Sequence, residues 1–149
     1  MNLKKRQNGF NLVEVLIALI IMSIGMLGIA GLYVNSLQTG RTSMFRHQAI
    51  TLAGDVADRI RANATAGTAY TLAGSDKSCV SSTADCSAAD MAANDIFLWS
   101  QQAADSLPAG RVTITRNGTP SPPEYTITVT WDEPGSTETY AVTIPVAGS

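Results

Sequence analysis

The sequence predicts an α+β fold in which a long N-terminal helix, membrane-spanning in its first half and amphipathic in its second, packs on a small antiparallel sheet. Three observations predict it. No charged residue occurs between Val15 and Gly40, although the chain carries 10 Lys and Arg and 12 Asp and Glu. Apolar residues then recur at helical spacing from Phe45 to Ile60. The C-terminal third alternates apolar and polar residues with period two in three separate runs. A chain of 149 residues suffices for about one compact domain with an appendage.

The apolar segment is the first element. Twenty helical residues rise ~30 Å, the thickness of a bilayer's hydrocarbon core, and residues 10–34 supply that length. Lys4, Lys5 and Arg6 precede it, so the positive-inside bias keeps the N terminus cytoplasmic and places the remainder outside. A cleaved secretory signal is the competing reading, with Ala30 and Gly31 as its small residues. It is disfavoured because the run is long and continues into a helical pattern without a turn residue. Glu14 stands out at the head of this helix. Its carboxylate either snorkels to the headgroups and the positive end of the helix dipole, or meets a cation supplied by something else in the membrane. Gly25, Gly28 and Gly31 lie three apart and offer a strip for close helix packing, or are ordinary membrane-helix glycines.

Gly9-Phe10-Asn11-Leu12-Val13-Glu14, after a short basic leader and before an apolar run, resembles the type IV prepilin signal. The resemblance implies that a membrane prepilin peptidase cuts between Gly9 and Phe10 and methylates the new amino terminus at Phe10. It also implies that Glu14 pairs with the terminal amine of a neighbouring subunit. Residues 1–9 are then a leader peptide. Asn11 stands where that family commonly carries Thr or Ser.

The helix is expected to continue to about Ala62, with residues 35–62 as its amphipathic half. Phe45, Ala49, Leu52, Val56 and Ile60 form the apolar stripe, while Asp55 with Arg59 and Asp58 with Arg61 stand at ion-pair spacing. Residues 63–149 form the head. Residues 63–86 read as a loop, rich in Ala, Thr, Ser and Gly. Cys79 and Cys86 are expected to form a disulfide outside the cytoplasm, worth about 2.5 kcal/mol in the chain-entropy model. A redox-active pair normally has CxxC spacing instead. Ser87 is a helix cap with Asp90 three positions on, and the helix runs over about 88–107, stopping at Pro108-Ala109-Gly110. Ala92, Ile96, Trp99 and Ala103 form its apolar face, widened by Phe97 and Leu98. Strands follow at about 111–116, 124–131 and 138–144. One face collects Val, Ile, Tyr and Trp and the other is mostly threonine. The amphipathic half of the helix is the natural cover for the apolar face.

This architecture is also what the pilin resemblance implies. "LAGDVADRIRAN", "AANDIFLWSQQ", "LPAGR" and "YTITVTWDE" further resemble the minor pilins known as type IV pilus modification proteins (PilV). The cysteine pair precedes the sheet here, whereas major pilins carry theirs near the C terminus.

Composition excludes several functions. From Asn63 onward three basic residues face nine acidic ones, so no nucleic-acid partner is expected. His47 is the single histidine, no nucleophile–base grouping, phosphate loop or metal motif occurs, and no cofactor is expected. Asp132, Glu133 and Glu138 lack the spacing of a calcium loop and read as a solvated turn. Asn63-Ala64-Thr65 matches a glycosylation triplet by chance.

The expectation is therefore a non-enzymatic filament subunit. It would sit in the bacterial inner membrane with its head periplasmic, and enter a surface pilus. Its partners would be the major pilin, other minor pilins, the prepilin peptidase, the inner-membrane assembly platform and lipid. Alternatives are a minor pseudopilin of a type II secretion system, or a membrane-anchored periplasmic binding domain that never polymerises.

Overall fold

The computed structural model of the chain describes residues 9–80 and 85–147. Lys4, Lys5 and Arg6, the rest of the leader before Gly9, and the middle of the cysteine loop lie outside the described residues. The order of elements is α1 (Leu12–Ala62), a 3₁₀ segment (Ala64–Thr71), α2 (Ala88–Ser106), β1 (Arg111–Asn117), β2 (Glu124–Glu133) and β3 (Ser136–Pro145). It is an α+β fold with a long N-terminal helix and a small three-stranded antiparallel sheet. The chain divides into two compact units, one ending at Arg41 and one spanning Thr42–Ser149.

In the first unit the helix begins at Leu12, two residues later than Phe10. The reason is Asn11, whose carbonyl accepts from the amides of Glu14 (2.9 Å) and Val15 (3.3 Å). It thereby stands where a capping residue stands, and asparagine is among the residues that favour this position. From Leu12 to Arg41 every residue is exposed. Ser23 and Thr39 return their hydroxyls to the carbonyls of Leu19 (2.7 Å) and Asn35 (3.0 Å), so neither leaves a donor seeking water.

The second unit has the core. Ala49, Leu52, Ala53, Val56, Ala57 and Ile60 of α1 are buried, following the three–four–four spacing of the apolar stripe from Ala49 with Ala53 and Ala57 added. They meet Tyr70, the α2 residues Ala92, Trp99 and Ala103, and the sheet residues Ile114, Tyr125, Ile127, Val129, Trp131 and Ile144 in one cluster. The sheet order is β1-β2-β3. Register places Val112 opposite Val129, Ile114 opposite Ile127, Tyr125 opposite Ile144 and Ile127 opposite Val142, which collects the apolar side chains on the face turned to the helices. The outer face carries Thr113, Thr128 and Ala141 in one row and Thr115, Thr126 and Thr143 in the next. Thr126 and Thr143 hydrogen-bond to each other (2.9 Å). Strands β2 and β3 extend beyond the alternating runs because the hairpin closes tightly at Pro134-Gly135, where Gly135 takes φ 96°.

Three details differ from the reading of the sequence. Residues 64–71 are a 3₁₀ segment within what reads as loop, bent at Gly67 (φ 52°, ψ −121°). Alanine-rich composition permits such a turn, and its anchors are distant: Tyr125 Oη donates to the Gly67 carbonyl (2.9 Å). Leu98 is among the exposed large hydrophobics rather than part of the buried face of α2. That face instead includes Asn94 and Asp95. Ser87 caps α2 reciprocally, accepting from the Asp90 amide (3.1 Å) and donating to its carboxylate (2.6 Å).

Candidate functional site

The candidate site of the first unit is its N-terminal turn and the apolar helix behind it. Gly9 and Phe10 precede α1 and are exposed, Phe10 at 85 %. The peptide between them is therefore outside any helical hydrogen-bond ladder. Glu14 lies in the first turn of α1, next to the unpaired amides that make a helix start electropositive. It has no ion pair among the described residues. Behind it runs a stretch long and apolar enough to cross a membrane, none of it buried. A Cβ added at Gly25, Gly28 or Gly31 would meet nothing within 4 Å. This strip can accept a close neighbour, and the first unit does not itself provide one.

The second unit carries a polar cluster that sequence reasoning missed. Arg59 Nη1 donates to Asp95 Oδ1 (2.8 Å), with the Asp95 side chain 8 % exposed. Tyr70 Oη donates to Asp95 Oδ2 (3.2 Å), and Asn63 Nδ2 donates to Tyr70 Oη (3.2 Å) and to the Ala88 carbonyl (2.8 Å). Trp99 Nε1 donates to Asp55 Oδ2 (3.0 Å), which also lies 3.7 Å from Arg59 Nε. The rings of Tyr70 and Trp99 stack at 6.0 Å. Burial, aided by the Asp95 carboxylate, pushes the Tyr70 phenol up to about 12. The cluster binds α1, the 3₁₀ segment and α2 together, and each buried polar atom in it is satisfied. Asn63 is thereby engaged as a donor on both contacts. The one signal in the sequence was the Asp55/Arg59 spacing; the partner Asp95 is 36 residues from Arg59.

Cys79 and Cys86 are joined by a disulfide. The segment before it lies against α2: the Ser75 amide donates to the Ala93 carbonyl and the Lys77 amide to Asn94 Oδ1, both at 3.0 Å. Gly74 fits there because it has no side chain, as a Cβ would stand 2.5 Å from the Phe97 amide nitrogen. The acidic turn is occupied internally. Glu133 accepts from Trp131 Nε1 (3.0 Å) and Thr42 Oγ1 (2.6 Å), Asp132 from Thr137 Oγ1 (2.8 Å), and Glu138 from Ser136 Oγ (2.8 Å). The Thr42 hydroxyl, seconded by the Trp131 indole, holds the Glu133 carboxyl below its usual range. His47 is exposed, with Nδ1 3.4 Å from the Thr51 hydroxyl. Among the described residues no group of three or more His, Cys, Asp and Glu is placed to hold a metal ion.

Two family models match the chain. The prokaryotic N-terminal methylation motif matches residues 4–30, and the type IV pilin Tt1218 model matches residues 31–97. The two stretches abut, and the sheet lies beyond both. No curated protein and no solved structure matches the chain.

Proposed function

This chain is a type IV pilin-like protein, and on that footing we propose that it works as a minor pilin, processed by prepilin peptidase and drawn into a pilus through its N-terminal helix. The observation that carries the reading is the match of the methylation motif over residues 4–30 to an exposed Gly9-Phe10 junction, with Glu14 in the first turn of α1 and without an ion pair among the described residues. Cleavage after Gly9 would leave Phe10 as the mature first residue. A peptidase needs backbone that is free of a helix, and Gly9 and Phe10 precede α1. Methylation at Phe10 leaves a cationic amine, a counter-charge that Glu14 lacks among the described residues.

The apolar helix has two kinds of company open to it, lipid before assembly and other pilin helices afterwards. Gly25, Gly28 and Gly31 allow a neighbouring backbone to come close, where packing rather than water exclusion drives association. Glu14 gives that association direction, because a carboxylate at the apolar end of a helix costs about 2–3 kcal/mol until a cation meets it. The basic leader favours a cytoplasmic N terminus and a periplasmic head, which suits both the disulfide and the capped, packed second unit. The segments that resemble those of pilus modification proteins favour a minor pilin. The inner-membrane assembly platform, the major pilin and other minor pilins are its partners in this reading. The protein performs no catalysis and its contribution is placement.

Expression with and without prepilin peptidase, followed by intact-mass measurement, tests the processing step. Loss of residues 1–9 with gain of one methyl group supports it, and an uncut chain in the presence of active peptidase removes it. Deleting the gene and scoring surface fibres beside exoprotein release separates a pilus role from that of a secretion pseudopilin. If Glu14→Ala leaves fibre assembly intact, the helix is an anchor and nothing more.

A further inference from the structure

We propose that the outer edge of β1 receives an extended segment of a partner polypeptide, which adds a strand to the sheet, seats one apolar side chain in the adjoining cavity and presents a carboxylate to Arg111. The proposal stands on the second unit alone and does not depend on how the N terminus is processed.

The cavity lies where α2, the end of the 3₁₀ segment and β1 meet. It measures about 140 Å³, and Tyr70, Leu72, Ile96, Trp99, Val112 and Ile114 line it. A cavity of roughly 150 Å³ admits a benzene-sized group, so this one, which Thr71 and Thr113 also line, has room for a single aliphatic or aromatic side chain. Leu72, exposed at the rim, is an apolar residue with little covering it.

The strand beside the cavity is an edge. β1 pairs only with β2, and among the described residues no backbone hydrogen bond reaches its other side. The two edges of this sheet are not equally guarded. β3 ends in Pro145 and carries Glu138 opposite Trp131, on the inward face; a proline and an inward charge are both devices that discourage strand addition. β1 has seven residues, Arg-Val-Thr-Ile-Thr-Arg-Asn, with no proline, and its one inward charge, Arg116 opposite Tyr125, is held by that tyrosine. An open edge next to a side-chain pocket is the arrangement by which sheets capture extended peptides: main-chain bonds hold the segment and alternate pockets choose it.

Charge selects the kind of segment. The head past Asn63 has three basic residues, Lys77, Arg111 and Arg116. Lys77 pairs with Asp90 at 3.6 Å. Arg116 donates to the Tyr125 hydroxyl at 3.1 Å and lies over its ring. Arg111, at the start of β1, is exposed and has no ion pair among the described residues. In a head with nine acidic residues, this is the cation left for a partner's acid.

The test uses the full chain in detergent micelles with two capped pentapeptides, Thr-Leu-Glu-Val-Thr and Thr-Leu-Lys-Val-Thr, followed by amide and indole NMR shifts. The glutamate peptide is expected to shift the amides of Val112, Thr113, Ile114 and Thr115 and the Trp99 indole. It should bind about three-fold more tightly than the lysine peptide. Arg111→Glu, at an exposed position, should reverse that preference, and Leu72→Arg should abolish the Trp99 shift. Absence of β1 shifts at about 1 mM peptide, or a preference that Arg111→Glu leaves unchanged, overturns the proposal.

Discussion

The residues of α1 before and after Thr42 both include leucine, isoleucine and valine, and these side chains meet opposite fates. Leu27 in the first unit is 74 % exposed, while Leu52 in the second is 2 % exposed. The difference is one of pattern. Between Leu12 and Leu37 leucine, isoleucine, valine and methionine occur around the whole circumference, which no single packing face can cover. After Phe45 they keep, apart from the exposed Ile50, to one stripe, and the sheet and α2 cover that stripe. An all-round apolar helix requires a surrounding medium of lipid or helices, whereas a striped one requires a single partner. The same residue type is thus a solvent-facing group in one region and a core group in the other.

The comparison breaks most visibly under truncation. Leu52→Ala should lower the stability of the second unit by about 2–5 kcal/mol, read as the fall in its thermal unfolding midpoint in detergent. Leu27→Ala should leave that midpoint where it was. Equal shifts from the two would mean that the first unit also carries a packed core.

Glycine sharpens the contrast by a smaller amount. Gly74→Ala forces a Cβ against the Phe97 amide and the Ile96 side chain and should cost about 1–3 kcal/mol of head stability. Gly28→Ala meets open space and should cost the head nothing. Its effect, if helices pack on that strip, is confined to fibre assembly, so the two variants separate folding from association.

The smallest effect is acidic. Asp90 is held below the ordinary carboxylate range chiefly by the Ser87 hydroxyl, with Lys77 adding to it, and Glu133 by Thr42 and Trp131. Because both groups are depressed when folded, their contribution is present above the unfolded carboxylate pKa and is lost as pH falls through the lower folded values. The unfolding midpoint of the head should drop below about pH 4, and the Asp90→Asn, Glu133→Gln double variant should flatten that drop. Both groups are exposed, so the change is slight. The first unit holds one carboxylate, Glu14, among the described residues, and no comparable slope of its own is expected in head unfolding.

What the sequence made legible follows the same division. Periodicity exposes any feature whose cause is local: the α1 stripe, the strand alternation, and the Ser87 cap with its partner three residues away. The core positions Ala53 and Ala57 are less legible, because alanine is at home on either side of a helix. Asn94 and Asp95 were invisible as core residues. A buried acid is tolerable only where its partners are, and Arg59 and Tyr70 reach it from 36 and 25 residues away. The 3₁₀ segment was hidden for a like reason, since the Tyr125 hydroxyl that donates to its bend at Gly67 belongs to a strand 58 residues on. Glu14 and the Gly9–Phe10 junction were plain in the sequence, through a motif rather than through packing.

The outer rows of the sheet, Thr113–Thr128–Ala141 and Thr115–Thr126–Thr143, hold no ionisable group between Arg111 at one end and Glu124 at the other. Mobile ions have nothing to shield across that surface, while they weaken attraction at its borders. Raising the salt therefore sorts contacts on this side of the molecule: those held by the strand ends loosen, and those lying on the hydroxyl lattice persist.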